Sequence, residues 1–132
     1  MGSSCSSPCQ QKLEDFIHDN MFMPPPVDMQ IFEMVDIDPD ASLCEIVGKD
    51  NQKISYMKIQ MSSKIKKWIV FSHGNAATIF NYYYYAKQLC NDLGVGCIFY
   101  DYPGYGFSSG TPTDLHIFFR SFLLRKNFIA MR

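Results

Sequence analysis

The apolar positions of this chain fall into short runs separated by polar turns. Trp68, Ile69, Val70 and Phe71 form one run, bounded by Lys66 and Lys67 on one side and Gly74 on the other. It is β-branched and aromatic, and it predicts a buried parallel strand. Gly74 permits the sharp turn the chain must make at the strand's end. Residues 77–93 then predict a helix, with Ile79, Tyr82, Tyr83, Ala86, Leu89, Cys90 and Leu93 at the spacing of one apolar face. Gly94 is placed to cap it, and residues 95–100 predict a second buried strand. Strand, helix and strand make a right-handed βαβ unit with a parallel sheet.

Upstream, residues 29–35 and 43–47 are apolar enough for strands, and residues 54–61 alternate imperfectly but read as another. Lys49, Asp50, Asn51 and Gln52 predict a hairpin loop, so an antiparallel β-meander feeds the parallel strand. Residues 10–23 carry a weak helical pattern in Leu13, Phe16, Ile17 and Met21. Covering the core is the favoured role for that face, with lying on a membrane as the alternative. Pro24, Pro25 and Pro26 stop the helix and stiffen the link to the core. At the other end Thr111, Pro112 and Asp114 predict a helix start, leading into an aromatic and basic stretch. The resulting division is a tail with a proline linker over 1–26, a core over 27–112 and a divergent helix over 113–132.

Composition narrows the function classes. The 132 residues are 47% hydrophobic with a net charge of −1. That balance gives no electrostatic case for nucleic acid. No run reaches the ~18 apolar residues of a membrane span, and the start lacks the pattern of a secretory signal. Five scattered cysteines argue against a disulfide framework. Cys44, Cys90 and Cys97 lack metal-ligand spacing and read as small buried hydrophobes. No metal site and no cofactor is expected. Asp36, Asp38 and Asp40 lack the Gly and Glu of a calcium loop and read as a solvated turn. Gly94 and Gly96 lack the rest of a dinucleotide fingerprint.

Near the start, Gly2 with Ser6 fits the N-myristoylation pattern, and Cys5 and Cys9 lie where palmitate could join. One acyl chain binds a membrane only marginally, so a second one nearby matters. The other reading is a plain Ser-rich tail.

Two motifs flank the βαβ unit: His73-Gly74-Asn75-Ala76 and the glycine-rich run from Asp101 through Tyr102-Pro103-Gly104-Tyr105-Gly106-Phe107-Ser108-Ser109 to Gly110. Together, over about residues 29–112, they resemble the α/β-hydrolase fold, in particular the alpha/beta hydrolase domain-containing 17 type. The resemblance implies an α/β fold in an incomplete form, the N-terminal meander plus one βαβ unit. It implies a lipid-anchored serine hydrolase that removes palmitate from protein cysteines. The partners would then be a membrane surface, reached through the acylated N-terminus, and an acylated protein. The location would be the cytoplasmic face of the plasma or endosomal membrane, or the cytoplasm without acylation. Other lipases, esterases and aminopeptidase-like hydrolases share the two motifs.

By the same resemblance, His73, Gly74, Asn75 and Ala76 form the oxyanion-hole loop. Asn75 donates through its main chain, alone or with Ala76, and His73 positions the loop and is not the base. The glycine loop packs beside it. Gly106-Phe107-Ser108-Ser109-Gly110 matches G-x-S-x-G, but an elbow serine sits directly between a strand and a helix. Ser108 lies well past its strand and precedes Thr111-Pro112, so it reads as a decoy. The family's elbow falls one βαβ step further on. The chain is therefore expected to lack the nucleophile elbow and the triad, which leaves a truncated or binding-only fragment as the alternative to an enzyme. In the family's strand order the 68–71 strand lies between the 95–100 strand and the next strand, which this chain is expected to lack, so its outer edge is expected to be open.

Overall fold

The computed structural model describes residues 7–48 and 51–112. Gly2, Cys5, the hairpin residues Lys49 and Asp50, and the tail 113–132 fall outside the described residues. The described elements run α1 (Pro8–Met21), α2 (Met29–Ile37), β1 (Ala41–Val47), β2 (Lys53–Ile59), β3 (Trp68–Ser72), a 3-10 turn (Ile79–Tyr82), α3 (Tyr83–Leu93) and β4 (Gly96–Tyr100). The four strands form one mixed sheet in the order β1-β2-β4-β3. β1 pairs antiparallel with β2, β2 antiparallel with β4, and β3 parallel with β4. The β3–α3–β4 crossover is the expected βαβ unit.

The expected strand over 29–35 is instead a helix. Asp28 caps it, its carboxylate accepting the Gln30 and Ile31 N–H groups at 3.0 and 3.2 Å. Ile31, Phe32 and Val35 stand at helical spacing and pack against the core. The cap satisfies donors that a strand would have left to a neighbour, and the apolar stripe then has one face to bury. The meander is thus the single hairpin β1–β2.

One sheet face presents Met57, Ile59, Cys97 and Phe99 to α2, the 3-10 turn and α3, whose Val35, Ile79, Phe80, Tyr83, Ala86 and Cys90 build the main core with Val95. The other face groups Ile54, Tyr56, Ile98 and Tyr100. β4 is buried at every residue, as expected of a central strand. β3 differs from the expectation of a buried strand. It stands at the end of the sheet, and Trp68 and Val70 are each 37% exposed. Gly96 explains its close seating, because a Cβ there would meet the Trp68 ring at 2.4 Å.

The helix expected over 77–93 starts later, after the 3-10 turn. The Ile79 N–H at its start is taken by the Asp101 carboxylate at 2.9 Å, and Asn81 accepts the Thr78 N–H at 2.7 Å. Gly94 ends α3 in the left-handed conformation, φ 61°, as its position predicts. Leu93, expected on the apolar face, is exposed.

Two further segments depart from expectation. α1 forms, capped by Ser7 with Pro8 in its first turn. Its Leu13, Phe16 and Met21 are exposed, so these residues do not cover the core. Asp38 and Asp40 do not form a solvated turn. Both accept from Lys87 Nζ on α3, at 2.8 Å for Asp38 Oδ2 and 3.0 Å for Asp40, and Tyr83 OH also donates to Asp38 at 2.7 Å. Burial pushes the Asp38 carboxyl up, but these donors outweigh it and hold it below its usual value. The cluster ties the α2–β1 corner to α3.

Candidate active site

The carboxyl end of a parallel pair is where an open α/β sheet presents its loops to a ligand. Here β3 delivers His73, Gly74, Asn75 and Ala76, and β4 delivers Asp101 and the glycine loop. The two loops interlock. Tyr102 OH donates to the His73 carbonyl at 2.6 Å, and Tyr105 OH donates to Asn75 Oδ1 at 2.6 Å. The rings of Tyr102 and Tyr105 lie 4.3 and 5.5 Å from the His73 ring. Burial, then the neighbouring Tyr100, push the Tyr102 hydroxyl up to about 12. Burial also raises the Tyr105 hydroxyl, against the opposing pull of the Met23 N–H.

His73 is buried in the scaffold. Its Nδ1 lies 2.8 Å from the Gly74 carbonyl, and its Nε2 lies 3.2 Å from Asp101 Oδ1, off the hydrogen-bonding direction. Asp101 is wholly buried, with Oδ1 on the Ile79 N–H. Gly106 lets the backbone pass this carboxylate. With φ 53° it adopts a conformation open to glycine, and a Cβ would stand 2.0 Å from Asp101 Oδ2.

Asn75 and Ala76 form the exposed tip of the first loop. The left-handed residue is Ala76, φ 58°, and not Gly74, whose φ is not positive. A non-glycine residue held at positive φ is a backbone placed against its preference. The Ala76 N–H donates to Asn75 Oδ1 at 3.0 Å. The same oxygen accepts the Met23 N–H at 3.1 Å, and Asn75 Nδ2 donates to the Met21 carbonyl. The end of α1 is therefore bound to the loop tip.

Ser108 faces the protein interior. Its Oγ accepts the Ser55 N–H at 2.9 Å and donates to the Asp101 carbonyl at 3.0 Å. With Ser109, which accepts the Lys53 N–H at 2.7 Å, it lays the glycine loop along β2. Cys9 lies exposed in the first turn of α1. Sequence reasoning assigns no role to Asp101, Tyr102 or Tyr105 individually, or to the segment 21–23. The clustered glycines are a signal for a loop folded tightly on itself, but nothing in the sequence points to residues 21–23.

No family model matches the chain. It is 30% identical over 104 residues to a protein of Acanthamoeba polyphaga mimivirus named as an α/β hydrolase, a match spanning 77% of this chain and 40% of the viral protein. It is 33% identical over 66 residues to alpha/beta hydrolase domain-containing protein 17B of Homo sapiens, covering 50% of this chain and 23% of the human protein. The structure resembles an α/β hydrolase of Vibrio vulnificus with a TM-score of 0.62 at 14% identity, over 86% of this chain and 40% of that one. The chain thus spans less than half the length of these relatives. The mixed sheet and its loop pair have the α/β-hydrolase fold, and the chain is similar in sequence to members of the α/β-hydrolase family. Within that family its resemblance is to the N-terminal part of the domain-containing 17 type.

Proposed function

We propose that this chain carries the oxyanion-hole part of a membrane-associated serine hydrolase acting on palmitoyl-protein thioesters. The observation that carries the reading is the strained loop tip. Ala76 sits at positive φ just past the carboxyl end of β3, in an exposed tip that carries the main-chain N–H groups of Asn75 and Ala76. Such donors stabilise the oxyanion formed when a serine attacks an acyl carbon, and losing one costs an enzyme ~2.7–4 kcal/mol of transition-state stabilisation. In the complete reaction a serine alkoxide forms the acyl-enzyme, a histidine carries the proton to the departing thiolate, and water then releases the fatty acid. The thioester reading rests on the likeness to the domain-containing 17 type. The same loop serves an oxygen ester equally well.

A second reading, a binding-only chain, is favoured by a specific observation. Among the described residues no serine hydroxyl is paired with a histidine: both His73 nitrogens face the scaffold and Ser108 is bound within it. The two readings separate with a fluorophosphonate probe and a p-nitrophenyl acyl ester. The chain alone is expected to show neither serine labelling nor turnover above background. Turnover lost in Ser108→Ala would make Ser108 the nucleophile and end the decoy assignment.

Membrane attachment belongs to the same proposal. Acylation at Gly2 with Cys5 or Cys9 would hold the chain at the cytoplasmic face of the plasma or endosomal membrane, where acylated proteins lie. Among the described residues no helix is long and apolar enough to cross a membrane. The chain is expected to pellet with membranes from cells that contain acyltransferases, and Gly2→Ala is expected to release it. A wild-type chain wholly in the soluble fraction would end the anchoring proposal.

A further inference from the structure

We propose that residues 21–23 are a strap latched across the oxyanion loop by the Asn75 side chain, and that lifting the strap frees the Ala76 N–H for an acyl oxyanion. This rests on the reading of residues 73–76 as the oxyanion loop.

One side-chain amide carries the whole latch. Asn75 Oδ1 accepts from three donors: the Met23 N–H at 3.1 Å, Tyr105 OH at 2.6 Å and the Ala76 N–H at 3.0 Å. Its Nδ2 donates to the Met21 carbonyl. A side-chain amide oxygen has two lone pairs, so this acceptor is fully used. One of the two main-chain donors offered to the oxyanion is thereby occupied inside its own loop. An incoming oxyanion must displace Asn75 Oδ1 before it can use that N–H.

The strap fixes the Nδ2 end of Asn75, and Tyr105 OH holds the Oδ1 end. Met21 supplies the carbonyl that orients Nδ2, and Met23 supplies an N–H shared between Asn75 Oδ1 and Tyr105 OH, the latter at 3.2 Å. Tyr105 is buried, so its hydroxyl is a fixed post. Met21 and Met23 meet the loop through main-chain groups at an exposed site, and the strap follows a helix whose Leu13 and Phe16 are exposed. The latch joins positions 52 and 54 residues apart, so it closes only when the chain's start lies over the loop. Movement of α1 away from the domain would carry Met21 with it, remove the partner of Nδ2 and let Asn75 rotate. The position of α1 would then set whether the loop can receive a substrate carbonyl.

Backbone amide exchange of the full chain, read by NMR, tests this without any need for turnover. Three variants divide the latch. Asn75→Ala removes both ends, and the Ala76 and Met23 amides should each exchange roughly fivefold faster, the loss of one ordinary hydrogen bond. Asn75→Asp keeps an acceptor beside Ala76 but loses the donor to Met21, so the strap should loosen and the Ala76 amide should exchange faster than in wild type and slower than in Asn75→Ala. Met23→Pro removes the strap's N–H without touching Ala76. Phe22 is already extended, as a residue before proline must be.

Faster exchange at Ala76 in Met23→Pro is the decisive expected result, because a residue that merely stabilised the loop from beneath would not transmit it. β4 amides should be unchanged in all three variants, which confirms that the sheet is folded. Wild-type protection of Ala76 in Met23→Pro, with β4 intact, overturns the strap. The hydrolase reading is judged separately by the acyl-ester and probe assays, whose outcome leaves the amide result standing.

Discussion

The two loops at the carboxyl ends of β3 and β4 are neighbours, yet they are built in opposite ways. The glycine loop folds inward. Its Asp101 is wholly buried, its Ser108 bonds to β2 and to its own start, and its φ-positive positions are glycines. The His73–Ala76 loop turns outward. Its tip is exposed, its φ-positive residue is an alanine, and groups from elsewhere hold it: the Tyr102 hydroxyl on the His73 carbonyl, and the Tyr105 hydroxyl with the backbone of Met21 and Met23 on Asn75. One loop is a foundation that accepts glycine's entropy cost to pack against a carboxylate. The other carries strain at an accessible point, where backbone donors can meet a ligand.

If that division of labour is right, damage to the foundation should cost stability most. Gly106→Ala is expected to have the largest effect. It forces a side chain into a left-handed position and onto Asp101 Oδ2, for a loss of about 3 kcal/mol or more. Chemical denaturation should show this as a lower midpoint with an unchanged slope. A stability within a few tenths of wild type would mean that the loop can move away from Asp101, and the contrast would fail.

Ser108→Ala comes next. It leaves the buried Ser55 N–H and the Asp101 carbonyl without their partner, which should cost ~1–3 kcal/mol. Because Ser108 is read as structural, the same variant should leave any acyl-ester signal of the chain unchanged.

The smallest effect at neutral pH belongs to the joint between the loops. Tyr102→Phe removes one hydrogen bond to the His73 carbonyl, for ~1 kcal/mol. Its signature is in the pH dependence. The Tyr102 hydroxyl rises from the ordinary 10.0 to about 12 on folding, so the native state keeps this proton longer than the unfolded chain. The contribution is fully present below about pH 10 and is lost as pH rises from there through about 12. Denaturation midpoints should fall over that window in the wild type, and fall less in Tyr102→Phe. An identical alkaline profile in the two would show that Tyr102 is not the group that couples the loops to pH.

The βαβ unit is legible in the sequence because its strands are compact apolar runs and Gly94 marks the helix end. The hairpin β1–β2 is legible too, and so is the pairing of β4 with β3, the latter through the resemblance of the two motifs. The helix over Met29–Ile37 reads as a strand for a local reason. Ile31, Phe32 and Val35 fit a helix, but a short apolar run does not distinguish helix from strand by periodicity alone. The Asp28 cap is what decides between them. The open edge of β3 among the described residues comes from strand order, whereas its half-exposure does not come from its apolar composition. The links that shape the candidate site are the hardest to read. Asn75 meets Met23 across 52 residues, and Asp38 meets Lys87 across 49, through side-chain pairings that no local pattern encodes.

The seating of Trp68 has an optical consequence. It is the chain's single tryptophan, and it lies on the bare backbone of Gly96 with Lys58 Nζ 5.0 Å from its ring centre. Its indole therefore reports on one junction alone, the seam between β3 and β4 from which both loops spring. A red shift in its emission would signal that β3 had peeled from the sheet, so the protein carries its own fluorescent gauge of whether the two loops still share a common base.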